Sequence, residues 1–117
     1  VNSNPTQPTT PLSINGVAYK LLFDFEAIAN AEDLIGRPLL MGLSKRDIDR
    51  PTISLVRAML YTGLHTCQPD LTYAQAQSLV DRKNIAHVWG KILVAWAESI
   101  PDGDKDAAAT DPLKGQN

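Results

Sequence analysis

Residues 12–35 read LSINGVAYKLLFDFEAIANAEDLI. Asn15-Gly16 sits between two apolar runs and is the strongest short-range hairpin signal, because a two-residue hairpin turn needs left-handed backbone at both positions. Val17, Tyr19, Leu21 and Phe23 alternate and share one face. Leu12 and Ile14 match them across the turn. A two-stranded hairpin is marginal alone, so it must lie on helices or pair with another chain. At Asp24 the period changes from two to helical. Asp24 is placed to cap a helix that runs to about Ile35, with Glu26 in its first turn, Gly36 as its stop and Pro38 beyond. Strands followed by helices define an α+β fold, and one hairpin is too small a sheet for a doubly wound one.

The rest of the chain extends that reading. Leu39, Leu40, Met41 and Leu43 form a short apolar segment broken by Gly42, suited to a core-plugging loop or a helical turn. Ser44 caps a brief turn through Ile48. Thr52 caps a helix whose stripe is Ile53, Val56, Met59, Leu60 and Leu64. The linker from His65 to Leu71 contains Pro69 and ends it. Thr72 and Gln75 match a capping box behind Leu71, opening a helix expected to reach about Lys83 and to bury Ala76, Leu79 and Val80. Asn84 is placed to cap the last helix. Its stripe of Ile85, Val88, Trp89, Ile92, Leu93, Trp96 and Ile100 is the strongest amphipathic pattern in the chain, and Pro101 and Gly103 stop it. The expected fold is therefore a mostly helical α+β domain, an N-terminal hairpin followed by about four helices.

Composition is unevenly distributed along the 117 residues. Residues 1–11, VNSNPTQPTTP, and residues 101–117, PDGDKDAAATDPLKGQN, hold few large apolar side chains and are expected to be disordered polar tails. Residues 12–100 hold every Phe, Tyr and Trp and form a single compact domain. The net charge of −2 comes entirely from the last seventeen residues, which carry four Asp and two Lys. A nearly neutral domain is not held to nucleic acid by bulk attraction. No apolar run approaches a membrane span, and no basic and apolar leader is visible, so neither a membrane nor an export signal is expected. A single cysteine, Cys67, cannot form an intramolecular disulfide and suits a reducing compartment. A core this small also leaves room for a homo-oligomer.

Chemistry-bearing patterns are sparse. His65 lies at a helix end, where an imidazole meets the last carbonyls, and His87 lies beside a core stripe. His65 and Cys67 make one metal-ligand pair without the second pair that structural zinc requires. A Cys67–His87 dyad has no supporting pattern. Asp102, Asp104 and Asp106 resemble the start of a calcium loop, but Ala107 and Leu113 stand where Gly and Glu are needed. No enzyme, metal or cofactor is expected. Helices 52–64 and 72–83 offer a helix-turn-helix alternative, with Gln75, Ser78 and Arg82 exposed for DNA contact. Its linker of about seven residues is longer than the usual three to four. Nucleic acid is thus an unfavoured partner. Trp89 and Trp96 are seven residues apart and share a helix face. They read first as core, and second as interface anchors, since indoles are enriched there.

The order of features resembles the small tail assembly chaperones of long-tailed bacteriophages and of phage-like gene transfer agents. The likeness runs through Ile14-Asn15-Gly16-Val17-Ala18-Tyr19, Phe23 to Glu32, Val56-Arg57-Ala58-Met59-Leu60-Tyr61-Thr62-Gly63-Leu64 and Pro69 to Ala76. Tyr73 and Gln75 depart from it, standing where such proteins often place acidic residues. The resemblance implies transient binding of the tape measure or tail tube protein before tube polymerisation. It implies action in the cytoplasm of a bacterial host and absence from the mature virion. A minor structural tail component is the other reading in that setting. Expected protein-binding residues are Tyr61, Trp89 and Trp96, with Arg57 and Arg82 at the rim.

Overall fold

The computed structural model describes residues 9–40 and 42–99. It is an α+β domain: strands β1 (Thr10–Ile14) and β2 (Val17–Leu21), then helices α1 (Phe25–Ile35), α2 (Lys45–Asp49), α3 (Ile53–His65), α4 (Tyr73–Leu79) and α5 (Ile85–Ser99). The expected hairpin is present, and the brief turn expected after Ser44 is α2. The calcium-like run at 102–106, most of both tails, Met41 and Ile100 lie outside the described residues.

Asn15 and Gly16 have φ of 53° and 79°, the left-handed pair a two-residue turn requires. The register pairs Ile14 with Val17, Leu12 with Tyr19 and Thr10 with Leu21. β1 starts two residues inside the stretch expected to be a polar tail. Thr10 is buried opposite Leu21, and burial there outweighs a locally polar composition. The turn phase points the backbone groups of Pro11 and Ser13 away from β2. Proline therefore removes a donor from the open edge and blunts it against further pairing. The other edge is closed from within. Lys20 N–H donates to Gln68 Oε1 at 3.0 Å, Gln68 Nε2 donates to the Lys20 carbonyl at 3.1 Å, and Leu22 N–H donates to the Gly63 carbonyl at 2.8 Å.

α1 is capped as expected. The Asp24 carboxylate accepts from Ala27 N–H, and Gly36 at φ 83° closes the C-terminus on the Glu32 carbonyl. Its most buried side chains are Ala27 and Ala31, which let it lie close to α3, while Phe25 is 73% exposed. The Glu32 carboxylate accepts from the backbone N–H groups of Leu39 and Leu40, seating Leu39 in the core.

α3 is the centre of the molecule, touching β2, α1, α4 and α5. Eight of its thirteen residues are buried. Gly63 faces the Phe23 ring so closely that a Cβ there would stand 2.8 Å from Phe23 Cζ. Phe23 meets Trp96 edge-to-face at 5.5 Å between centroids. α5 closes this core with Val88, Trp89, Ile92, Ala95 and Trp96.

α4 stops at Leu79, four residues before the expected end. Val80 is extended at φ −99°, ψ 128°. Asp81 then accepts from Lys83 and Asn84 N–H through its carboxylate, while Asn84 Oδ1 accepts from Asp81 N–H and Asn84 Nδ2 reaches the Leu79 carbonyl. These side chains offer the backbone a local alternative to helix. Asp81, rather than Asn84, accepts the leading N–H groups ahead of α5.

Candidate functional site

Since α3 is enclosed by its neighbours, what it leaves open is informative. Ile53 and Ser54 are exposed at its start, and Arg57, Tyr61 and His65 are half-buried. The last three are spaced by four residues, so they stack along one face for about 12 Å. The docking of α4 on α3 adds Tyr73. Its ring centroid lies 5.3 Å from that of Tyr61, and the Tyr61 ring lies 5.3 Å from the His65 imidazole. The capping box of Thr72 and Gln75 fixes where α4 starts and so places Tyr73.

Two polar atoms of this stripe are buried without a hydrogen-bond partner among the described residues: Arg57 Nε and His65 Nδ1. Each such group costs about 1–3 kcal/mol, more for a charged one. Both atoms are covered by the domain itself, so they lie beneath the open surface rather than on it. His65 was expected to meet the last carbonyls of its helix through its ring, and its Nδ1 makes no such bond. Neither α3 nor α4 contains an Asp or Glu. The stripe therefore combines aromatic rings with a single arginine. An open depression of about 490 Å³ follows, lined by Cys67, Gln68, Pro69, Asp70, Leu71 and Gln75.

Of the five expected contact residues, Arg57 and Tyr61 come together here. The other three do not join them. Trp96 is in the core against Phe23. Trp89 is 6% exposed, and its Nε1–H donates to the Ile48 carbonyl at 3.0 Å, tying α2 to α5. Both indoles are occupied within the domain. Arg82 lies in the exposed turn between α4 and α5. His65 and Tyr73 were missed as partners of Tyr61. The i, i+4, i+8 spacing of Arg57, Tyr61 and His65 was available as a signal for the first.

Of the side chains offered for DNA contact, Gln75 and Ser78 are exposed on α4 and Arg82 is exposed in the turn beyond it. Gln75 is engaged by Thr72, the Ser78 hydroxyl donates to the Gln75 carbonyl at 2.7 Å, and Arg82 is off the helix. Cys67 is half-buried and free, and burial pushes its thiol pKa up, away from the thiolate that nucleophilic chemistry uses. His87 is exposed on α5. Among the described residues no group of three or more His, Cys, Asp or Glu could hold a metal ion, and no helix is long and apolar enough to cross a membrane.

Comparison with family models, curated proteins and solved structures finds no match to this chain.

Proposed function

We propose that this protein is a tail assembly chaperone of a long-tailed bacteriophage or phage-like gene transfer agent. It binds the tape measure protein, the tail tube protein or both, and keeps them soluble until the tube polymerises. It works in the bacterial cytoplasm without cofactor or catalysis and is left out of the finished particle. The identity of the partner rests on the resemblance of the residue pattern. The observation that supports binding is the open stripe of α3, where the half-buried rings of Tyr61 and Tyr73 lie 5.3 Å apart. A partner that covers it would bury aromatic surface. Phe25, Leu40 and Ile53, which are 73%, 66% and 57% exposed, add apolar surface of the kind a holding protein uses.

Co-expression with the tape measure and tail tube proteins of the same gene neighbourhood tests this. A complex that survives purification, and is missing from finished particles by mass spectrometry, is the expected result. No complex with either protein, where all three are soluble, contradicts it. Persistence in purified particles points to a structural tail component instead.

A further inference from the structure

We propose that residues 44–50 are a detachable strap: they open as a unit while the rest of the domain stays folded, and their opening frees the Trp89 indole. The proposal rests on how α2 is held and stands apart from the identity of any partner.

Among the helices of the described residues, α2 alone has no buried residue, and it is five residues long. A helix that short is not stable by itself in water. Leu43 before it packs on the core and Leu55 after it is buried in the core. The apolar side chains between them, Ile48 and Ile53, are 43% and 57% exposed. None of the extensive contacts between elements involves α2. What holds it is polar. Ser44 and Asp47 form the capping box at its start, and Arg37 reaches Asp47 at 2.7 Å from the loop after α1. Lys45 and Asp49 pair across one exposed turn, where an ion pair contributes little. The bond that reaches the core comes from α5: Trp89 Nε1–H donates to the Ile48 carbonyl at 3.0 Å. That carbonyl lies in the last turn of α2, where a helix leaves its acceptors unpaired. The indole thus completes the short helix, and the short helix satisfies the indole. Opening the strap breaks this bond and the Arg37–Asp47 bond while exposing little apolar surface, which puts it at the low end of local stability. Once open, α5 presents an indole with a free donor, a group enriched at binding interfaces. Closed, the Ile48 carbonyl occupies that donor.

The test is hydrogen exchange followed by NMR in the full-length, isotopically labelled protein. It compares the Ile48 and Arg50 amides, bonded to the Ser44 and Arg46 carbonyls, with the Trp89 Nε1–H and with the amide of fully buried Leu60 on α3. The expected result is one shared opening for the α2 amides and the indole, populated about a hundredfold or more above the opening that exposes Leu60. Low urea speeds exchange at Leu60 and barely moves the strap, because little surface is exposed when the strap opens. Ser44→Ala removes half of the capping box and raises exchange at the α2 amides and at the indole together, about fivefold. The wild-type comparison keeps the test valid should that variant fold poorly. Exchange of the Trp89 Nε1–H together with Leu60 overturns the proposal, since the indole is then freed only by global unfolding. So do α2 amides without protection, a Ser44→Ala effect on α2 that leaves the indole unmoved, or one urea dependence for all the groups. No tail protein is used, so failure here is separable from failure of the chaperone reading.

Discussion

Gly63 and Gly90 lie in helices yet have opposite surroundings. At Gly63 an added methyl would meet Phe23 Cζ at 2.8 Å and Leu21 Cδ2 at 3.0 Å. Phe23 is itself fixed between α3 and Trp96 and cannot swing away cheaply. Gly63→Ala is expected to destabilise the fold by about 1–3 kcal/mol, overriding the gain in helix propensity. At Gly90 nothing stands within 4 Å, so Gly90→Ala is expected to stabilise by about 0.5–1 kcal/mol. Urea unfolding of the two variants checks both signs. The tryptophans show what a residue pattern does and does not settle. Their seven-residue spacing put both on one face of α5, but core and partner surface ask for the same stripe. Only the packing of Phe23 and the Ile48 carbonyl against them decides between the two.

Among the elements, those set by local chemistry were legible. Asp24, Ser44, Thr52 and Thr72 each accept the N–H three residues on, as their types and spacings predict. The end of α4 was not legible, because Val80 continues the apolar pattern while Asp81 and Asn84 bind each other's backbone. Nor was the closure of β2, which depends on a glutamine forty-eight residues away. Gln68→Ala is expected to expose the β2 edge, speeding hydrogen exchange at the Lys20 amide and costing about 1 kcal/mol. α2 makes one contribution to the pH dependence. Asp47 accepts from Arg37 at 2.7 Å and completes the Ser44 capping box, and the Arg37 hydrogen bond holds its carboxyl below the usual carboxylate range. That stabilisation is fully present above the unfolded-state pKa and is lost as pH falls through the lower folded value. Asp47→Asn should flatten the acid limb of stability against pH, measured by denaturant midpoints.

At the scale of the whole molecule, α3 holds the parts together and also provides the open surface. Met59 is fully buried on it, and Met59→Ala should cost about 2–5 kcal/mol with one cooperative transition across both halves of the chain. Tyr61 lies on the same helix, half-buried against His65 and Tyr73, so its loss should cost some stability and damage binding more. Half of the candidate site was legible, as Arg57 and Tyr61. The other half needed the docking of α4, which sets Tyr73 beside Tyr61. The most direct measurement is titration of the full-length chain and its Tyr61→Ala variant against soluble tape measure and tail tube proteins. The account predicts a wild-type complex with at least one of them, weakened about tenfold or more in Tyr61→Ala at a temperature where circular dichroism shows both chains folded. No wild-type complex with either protein, or a complex that Tyr61→Ala leaves unchanged, would contradict it.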